Sequence, residues 1–415
     1  MGGASTAGEY DVVIAGGGLV GGSLAIALAQ TDCRVALVEA VPPESEQQPS
    51  FDDRTIALSR GSYRILDQLG IWSRIADSVW PIHQIHVSQQ GRFGTAVIDT
   101  NEQGVPELGY VIKSRTLGLA LWALLREQTG VEVFCPAKVT ATTVVNEIRQ
   151  VELRSGDKQQ TLRTKLLTVA DGARSSVRAA LGISACERDY EQVAVVANLQ
   201  IDAARAGHIA YERFTAEGPL AILPGADGQY TAVLARHAET VQEVMDMADE
   251  ALLEMLQSLF GFRLGRLRRI GKRQAYPLHL VTAKDIVTER AVVIGNAANG
   301  LHPVAAQGFN LGLRDVASLA EMIADGLGKD RDGFDAGDAE FLDDYANWRA
   351  SDQRKVVRFT DGLIRLFGVG GGVAATVRGL SLAAFDILPG AKQALAQQTM
   401  GLTGRMTRLA RGLPL

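Results

Sequence analysis

A glycine-rich segment at residues 295–315 contains the residue types from which a backbone cofactor site can be built. Its early glycines would let the chain approach a bound molecule closely, and Pro303 would stiffen that approach. Gly308, Phe309 and Asn310 follow at the predicted start of a helix, where backbone N–H groups have no acceptor within the helix. Such a helix end stabilises negative charge, and a reduced flavin carries negative charge on the pyrimidine edge of its ring. Alone, the segment fits equally an ordinary loop before an amphipathic helix.

The partner motif lies near the N-terminus, where an apolar stretch at residues 12–15 predicts a buried parallel strand. Gly16, Gly18 and Gly21 follow at the spacing Gly-x-Gly-x-x-Gly, and an apolar helix and a second strand then lead to Glu39. In this context the glycines form a tight turn, admit a pyrophosphate and let helix pack on strand, while the acidic residue binds ribose hydroxyls. Because Glu39 is acidic, it favours an unphosphorylated adenosine ribose, so the motif predicts FAD or NAD at this site.

A third motif, Asp-Gly-Ala-Arg, begins at Asp171 and follows another apolar strand. These three motifs make the chain resemble the group A flavoprotein aromatic hydroxylases, from about Tyr10 to the C-terminus. The resemblance implies that Asp171 lies at the cofactor. Residues 53–59 and the segment LHPVAAQGFNLGLRD are similar to the ubiquinone-biosynthesis branch of that group, and most of all to its 2-polyprenyl-6-methoxyphenol hydroxylases. Asn296 stands where most members of the wider group have Asp, and its uncharged amide can still hydrogen-bond a ribityl hydroxyl.

The resemblance implies both a reaction and its cofactors. It implies a FAD-dependent monooxygenase whose flavin is reduced by NADPH or NADH, docking transiently, and then reacts with O2 to give a C4a-hydroperoxide. That species would hydroxylate a polyprenyl phenol, converting 2-polyprenyl-6-methoxyphenol to the 1,4-benzoquinol. In such an enzyme the cofactor carries the difficult chemistry, so the protein has to supply orientation and exclusion of water.

The same resemblance places two arginines, Arg54 and Arg115, near the cofactor. Each has a plainer interpretation as a salt-bridged surface residue. No catalytic acid or base is identified. His302, His208 and Tyr211 are candidates for the substrate cavity, and a structural role in the fold is an equal alternative for each.

The predicted fold class is α/β, with a Rossmann-like FAD-binding lobe interleaved with an antiparallel-sheet substrate lobe, as in para-hydroxybenzoate hydroxylase, and a C-terminal helical tail. Short alternating stretches with turn signals between residues 193 and 276 predict the antiparallel sheet. The predicted segments are the FAD-binding lobe at 9–80, 109–185 and 278–358, the substrate lobe at 81–108 and 186–277, and the tail at 359–415.

The composition is that of a globular enzyme, since 47% of the 415 residues are hydrophobic and 44 are glycine. A formal net charge of −5 argues against a nucleic-acid partner. The 3 cysteines are widely spaced, so we expect neither disulfides nor a metal site. The N-terminus lacks the pattern of a signal peptide, which favours the bacterial cytoplasm. Two long uncharged stretches, 12–31 and 291–313, are predicted to be strand–turn–helix units and not membrane spans.

Two basic segments could contact anionic surfaces. Over residues 360–415 basic residues outnumber acidic ones six to two, in a segment that is otherwise apolar and rich in Gly and Ala. Such a segment could bind the surface of the inner membrane, where a polyprenyl substrate would reside, or a partner in a quinone-biosynthesis complex. A helical cap on the FAD-binding lobe is an equal alternative. The basic run at residues 263–273 could steer NAD(P)H phosphates or bind anionic lipid, but a solvated strand face is the simpler interpretation.

Two other functions fit the same motifs. A flavin-dependent polyprenyl-lipid reductase or dehydrogenase would bind FAD without coupling NAD(P)H oxidation to a hydroxylated product. A FAD-stabilised scaffold of a quinone-assembly complex would need no open flavin face, and the intact cofactor loop argues against it. Phenol-stimulated NAD(P)H oxidation with an oxygenated product separates the hydroxylase from both.

Overall fold

The computed structural model describes residues 8–48, 51–52, 54–92, 94–202, 207–301, 307–368 and 389–415. Its first layer is a sheet that we call the nucleotide sheet. The strands of this sheet are β1 (Glu9–Ala15), β2 (Val35–Val38), β8 (Val131–Phe134), β9 (Lys138–Val145), β10 (Ile148–Ser155), β11 (Lys158–Val169), β17 (Val287–Thr288) and β18 (Ala291–Val293). The order is β17-β18-β11-β1-β2-β8, in which β18, β11, β1, β2 and β8 run parallel, and β10 and β9 continue from β11 as antiparallel partners.

The second layer is an antiparallel sheet that we call the substrate sheet. Its strands are β5 (Gln84–Gln89), β6 (Thr95–Asp99), β12 (Ala185–Ile201), β13 (Ile209–Phe214), β14 (Pro219–Pro224), β15 (Gln229–His237), β16 (Leu267–Ala283) and β19 (Asn299–Gly300). The order is β19-β16-β12-β15-β14-β13-β5-β6, and every pairing is antiparallel except that of β13 with β5. The predicted sheet is therefore confirmed. The parallel pair arises because the β5–β6 hairpin comes from an earlier passage of the chain.

Helices connect and cover the sheets. In the part of the chain that the structure describes they are α1 (Leu19–Ala29), α2 (Arg60–Gln68), α3 (Thr100–Gln103), α4 (Ser114–Leu125), α5 (Ser176–Ala180), α6 (Val241–Asp246), α7 (Asp249–Phe260), α8 (Gln307–Lys329), α9 (Ala339–Gly368) and α10 (Pro389–Thr399). Helices α1, α4 and α8 pack on the nucleotide sheet, and α6 and α7 on the substrate sheet. Helix α9 continues through residue 358, where the sequence predicts a boundary between lobe and tail.

Strand β1 lies at the centre of the nucleotide sheet because residues 12–15 form an unbroken apolar run that is buried on both faces. The residues on one face pack with α1 and α8, and those on the other pack against β9, β10 and α5. The first long uncharged stretch is a strand, a turn and a helix, as predicted, and the described residues of the second begin with β18 and end in α8. None of the helices in the described ranges has both the length and the apolarity needed to cross a bilayer.

A third, small sheet joins the two lobes. It consists of β3 (Thr55–Ser59), β7 (Gly109–Lys113) and β4 (Trp80–Ile82), in that order. The hydroxyl oxygens of Thr55 in β3 and Thr231 in β15 are hydrogen-bonded at 2.7 Å. At the other end of β3, Ser59 donates its backbone N–H to Oδ1 of Asn310 in α8 at 2.9 Å. Strand β3 thus contacts the substrate sheet at one end and the first turn of α8 at the other.

The described part of the C-terminal tail, residues 389–415, packs on the enzyme as a cap. Ala396 of α10 is fully buried in a cluster with strands of the substrate sheet, and Lys392 pairs with Glu102 at 2.7 Å. The predicted cap on the FAD-binding lobe describes only the end of the tail, where Leu409 and Ala410 pack with α2 and α8, whereas α10 covers strands of the substrate sheet. The apolar stretch at 369–388 lies outside the described residues, so its contact with a membrane or partner stays a prediction.

Candidate flavin site

The turn between β1 and α1 is so tight that two of its positions require glycine. Gly16 has a φ of +105°, and a Cβ atom there would lie 2.6 Å from the carbonyl oxygen of Ala170. A Cβ atom on Gly21 would lie 1.9 Å from the carbonyl oxygen of Gly16. Gly18 is the N-cap of α1 and brings no side chain to the first turn. This arrangement admits a pyrophosphate to a helix N-terminus.

Glu39 follows the end of β2, directly beside this turn, and is 8% exposed. Its Oε2 accepts the backbone N–H of Gly17 at 2.6 Å, and its Oε1 accepts that of Val41 at 2.8 Å. Trp122 of α4 supports the turn by donating its indole N–H to the carbonyl of Gly17 at 2.9 Å. Because each carboxylate oxygen can accept more than one hydrogen bond, these contacts leave the predicted ribose contact chemically open.

Asp171 follows β11, the strand beside β1, so its loop meets the glycine turn at the same edge of the sheet. Its Oδ2 accepts the backbone N–H of Val177 at 3.2 Å. Its Oδ1 is buried and has no hydrogen-bond partner within the described part of the chain. A buried acceptor without a partner costs about 1–3 kcal/mol, and a ligand hydroxyl beside Oδ1 would remove that cost. The unpartnered acceptor at Asp171 therefore fits a cofactor hydroxyl.

The third loop follows β18 and contains Asn296. Gly295 has a φ of +60°, and its backbone N–H donates to Oδ2 of Asp315 at 3.0 Å. Within residues 291–300 only Asn296 is exposed, and a Cβ atom on Gly308 would lie 3.6 Å from its Oδ1. The loop therefore presents the Asn296 amide beside the start of α8, which fits a hydrogen bond to a ribityl hydroxyl.

Arg178 ties the Asp171 loop to the Asn296 loop. Its side chain is buried, and its guanidinium donates to the carbonyl of Ala173 at 3.2 Å and to that of Ala297 at 2.7 Å. The two loops are thereby held in one relative position. Sequence reasoning missed this role, because nothing in the motif shows that the side chain turns back toward a loop more than a hundred residues later.

A buried charge network behind the third loop fixes its position. Asp315 of α8 is fully buried and accepts Nε of Arg349 at 2.8 Å. Arg349 also pairs with Asp352 at 2.8 Å, and Asp352 pairs with Arg314 at 2.7 Å. Burial alone would lower the pKa of Arg349, but the two carboxylates outweigh it and hold the pKa above its ordinary value. The network joins α8 to α9, and we did not predict it from the sequence.

The first turn of α8 is held against β3 and α2 by the side chain of Asn310. Its Nδ2 donates to the carbonyl of Ala57 at 2.9 Å, and its Oδ1 accepts the hydroxyl of Ser62 at 2.7 Å and the N–H of Ser59. The side chain of Asn310 therefore has protein partners, so the predicted flavin contact of this residue would use its backbone N–H.

Gly308 and Phe309 share this turn and are half-buried. Helix α8 passes so close to α1 that a Cβ atom on Gly312 would lie 2.7 Å from a valine side chain of α1. The two helices thus begin close together, and backbone amides at helix starts favour negative charge. Pro303 and His302 lie outside the described residues.

Arg54 and Arg115 are brought together by Asp52 at the junction with the substrate sheet. Oδ2 of Asp52 lies 2.6 Å from Nε of Arg54, and its backbone carbonyl accepts the N–H of Arg115 at 3.0 Å. The guanidinium of Arg54 also lies 4.5 Å from the ring centroid of Tyr276 in β16. Arg54 is therefore salt-bridged, and it stands where the two lobes meet.

The two cavity candidates in the substrate lobe differ. Tyr211 lies on the face covered by α7, with its ring centroid 5.0 Å from that of Phe260, so it is a core residue and the structural alternative applies to it. His208 stacks on Trp80 with ring centroids 5.1 Å apart, and its Nδ1 is hydrogen-bonded to the carbonyl of Pro81 at 3.2 Å. His208 therefore holds a corner of the sheet.

The basic run at residues 263–273 lies on the loop after α7 and on β16. Arg268 pairs with Asp202 at 3.0 Å, and Arg273 donates to carbonyls in the last turn of α6. Most of the remaining cations of the run are exposed, as expected for a solvated strand face.

Comparison with known proteins agrees with this geometry. The chain matches the family described as FAD binding domain over residues 9–360. It is 34% identical over 409 residues to the ubiquinone hydroxylase UbiL of Rhodospirillum rubrum, a match that covers 98% of this chain and 93% of that protein. The chain belongs to the flavin-dependent ubiquinone hydroxylase family. It is accordingly an enzyme, a hydroxylase that uses FAD.

Other relatives of this ubiquinone hydroxylase agree in family and fold. It is 31% identical over 318 residues to the 3-demethoxyubiquinol 3-hydroxylase of Escherichia coli, covering 75% of this chain and 79% of that protein. The crystal structure of p-nitrophenol 4-monooxygenase PnpA from Pseudomonas putida aligns with a TM-score of 0.77 at 18% identity, covering 96% of this chain and 99% of that one. The predicted fold class is thus shared with an aromatic flavin hydroxylase.

Proposed function

We propose that this ubiquinone hydroxylase consumes NAD(P)H and O2 to hydroxylate a polyprenyl phenol, converting 2-polyprenyl-6-methoxyphenol to the 1,4-benzoquinol. The observation that carries the proposal is the meeting of three loops, at Gly16, Asp171 and Asn296, with the substrate sheet. Strand β19 begins three residues after Asn296 and pairs with β16, so the third loop leads directly into that sheet. Ligand sites commonly form at such junctions. The names of the relatives support a ring of the ubiquinone series as substrate.

The residues of the three loops fit FAD in distinct ways. The turn at Gly16 would take the pyrophosphate, Glu39 the adenosine ribose, and the free Oδ1 of Asp171 a hydroxyl. Asn296 would bind the ribityl chain, and the backbone amides at the start of α8 would face the pyrimidine edge of the ring. Pro303, Gly308, Phe309 and Asn310 complete this proposed set, with Gly18, Gly21, Arg54 and Arg115.

Bound FAD supplies hydride acceptance from NADPH or NADH and the activation of O2. The protein then has to hold the phenol ring against the flavin and keep water away from it. The substrate sheet provides a half-buried apolar surface for that ring, and β3 fixes the distance of this surface from α8. Arg54 and Arg115, at the junction, carry positive charge where a transient dinucleotide could approach.

We also propose that the enzyme works at the cytoplasmic face of the inner membrane, where its polyprenyl substrate resides. The support is the basic, apolar composition of residues 360–415. Replacing Arg365 and Arg378 with Glu should lower the fraction of protein that sediments with vesicles containing phosphatidylglycerol. Arg331→Glu, at an exposed pair with Asp32, is the matched control. Equal sedimentation of all three proteins would contradict the proposal.

The function is tested by reducing the purified flavoprotein anaerobically with NADPH or NADH, with and without a short-prenyl 6-methoxyphenol. Oxygen is then admitted and the phenol is analysed by mass spectrometry. We expect the phenol to stimulate flavin reduction and to gain one oxygen atom. Flavin reduction without an oxygenated product would contradict the hydroxylation of this phenol and favour a reductase. A protein that binds no flavin would contradict the glycine-turn argument.

A further inference from the structure

The inner face of the substrate sheet, the face opposite α7, carries a row of small apolar side chains that ends in a carboxyl. The pairing of β12, β15, β14 and β13 places Val196, Val233, Ala221 and Glu212 side by side. All four are half-buried, whereas their neighbours on the other face are buried in the core beneath α7. This row is therefore open on the side of the nucleotide lobe and is not part of a sealed core.

The row lies on the same face as the residues that contact the flavin-binding lobe. Thr231, which bonds Thr55 of β3, is on this face two positions before Val233. Gln274 of β16 pairs with Val196 and extends the row toward Arg54. With strands about 4.8 Å apart, Glu212 lies about 10 Å from the β15 position of the row. That span accommodates one aromatic ring lying across Ala221.

Glu212 is an unusual residue for such a surface. The described residues give its carboxyl no hydrogen bond and no ion pair. Its nearest positions on the same face are Val87 of β5, Ala221 of β14 and Ala210 of its own strand. Arg213, next in sequence, points to the other face and donates to a carbonyl of α7 at 2.6 Å. Burial raises the pKa of Glu212 to about 7.

Helix α10 packs beside this face through Ala396, and its one charged side chain, Lys392, pairs with Glu102 at 2.7 Å. An apolar surface gains no stability from a carboxyl without a partner. A ligand that brings a hydrogen-bond donor to the carboxyl would supply the partner that the described residues do not give it.

We propose that Glu212 binds the phenolic hydroxyl of the substrate and takes up its proton as the ring is hydroxylated. This inference rests on the proposed function and names the group on the protein that acts on the phenol. A ring on the Val233–Ala221 surface would direct its hydroxyl toward the carboxyl and its opposite edge toward the flavin-binding lobe. The sequence could not reveal this role, because only the strand register shows which face Glu212 occupies.

The proposed step is a proton transfer and moves no electrons between molecules. The phenolic O–H bond breaks, its electron pair stays on the oxygen and enters the ring, and a new O–H bond forms on the Glu212 carboxylate. A free phenol has a pKa of about 10, but its O–H becomes far more acidic as the ring loses electron density to the incoming oxygen. A carboxylate that titrates near neutral pH is suited to accept this proton and release it to water.

The test compares Glu212→Gln with the wild-type holoenzyme and with Glu254→Gln, an exposed carboxyl on the opposite side of the sheet. We expect Glu212→Gln to keep its FAD and its rate of flavin reduction by NADPH. Its rate of phenol hydroxylation at neutral pH should fall about 100-fold, as for loss of a general base. The oxygen that it consumes should leave as hydrogen peroxide, and the rise of the wild-type rate with pH around 7 should disappear.

Several outcomes would overturn the proposal. One is a hydroxylation rate and pH profile in Glu212→Gln that equal those of the wild type. Another is a higher KM with an unchanged pH profile of kcat, because that result would limit Glu212 to binding the ring. Glu212→Asp keeps a carboxyl and should retain the pH-dependent step, so equal loss in both variants also contradicts it. If the wild type fails to hydroxylate the phenol, the proposal is tested by phenol binding, which ultraviolet difference spectra measure. The affinity for the phenol should depend on pH around 7 in the wild type and not in Glu212→Gln, and the same pH dependence in both proteins would contradict the proposal.

Discussion

Replacing Asp315 with Asn tests the claim that a buried charge network holds the third cofactor loop. The carboxylate is fully buried and accepts hydrogen bonds from Gly295, Arg349 and Gln353 at 3.0, 2.8 and 3.1 Å. An amide of the same shape has a single acceptor oxygen and a donor NH2, so at least one of these donors then faces another donor. Arg349 keeps only Asp352 as a counter-charge.

The magnitude follows from these contacts. Removing one partner of a buried ion pair costs about 3–5 kcal/mol, and the retained contact with Asp352 places Asp315→Asn near the lower end, at about 3 kcal/mol. An unfolding entropy of about 2.1 cal/mol/K per residue over 415 residues converts this to a fall of about 3 °C in Tm. Because Gly295 directly precedes Asn296, the FAD dissociation constant should rise about tenfold, equivalent to about one hydrogen bond.

Both quantities are measured on the purified protein, by thermal unfolding and by fluorescence titration of the apoprotein with FAD. The matched control is Asp32→Asn, since Asp32 also pairs with an arginine at 2.8 Å but is 64% exposed. An exposed pair contributes at most about 1 kcal/mol, so this variant should behave like wild type. If the two variants lose the same Tm, or if Asp315→Asn binds FAD as tightly as wild type, the reasoning is refuted.

Three further predictions concern the cofactor turn, the loop tie and the acidic residue of the inner face. Gly21→Ala should abolish FAD binding, because its Cβ atom would lie 1.9 Å from the carbonyl oxygen of Gly16. Bound FAD is measured by absorbance at 450 nm. The control Gly207→Ala has open space around its Cβ atom and should bind FAD normally. Arg178→Met should weaken FAD binding about tenfold in a fluorescence titration, since it removes the hydrogen bonds by which Arg178 connects the Asp171 loop to the Asn296 loop. Unchanged FAD affinity would contradict this role of Arg178. The folded pKa of Glu212 lies above its ordinary value of 4.5, at about 7, so wild type should lose stability relative to Glu212→Gln as pH rises through this window. The Tm of Glu212→Gln minus that of wild type should therefore be larger at pH 8 than at pH 5, and equal differences would be inconsistent with the raised pKa.

The cofactor loops could be predicted because their signals are local. A glycine turn after an apolar strand has few conformations, and the carboxyl ends of parallel strands meet at one edge of a sheet. Gly16 and Asp171 therefore come together from spacing and strand order alone. The alternation of short strands likewise indicated the antiparallel sheet before any pairing was known.

The remainder depends on contacts between residues far apart in the chain. Arg178, Arg349 and Asp352 act through partners on other elements, and no periodicity encodes those pairings. Tyr211 and Glu212 are adjacent in one strand, yet one faces a core and the other the open inner face. A shift of register by one residue would exchange them, so the sequence alone does not distinguish the two.

Strand β3 makes the reaction geometry independent of most of the substrate lobe. From Thr55, which contacts the substrate sheet, to Ser59, which contacts the start of α8, the strand spans about 13 Å at the usual rise. On the proposed function, this short strand is one of the connections that set the distance between ring and flavin, together with the pairing of β19 with β16. Loops and helices on the far side of the substrate sheet can change in length and sequence without altering that distance. On the proposed function, the ring would thus be placed by contacts that do not depend on the far side of the substrate sheet.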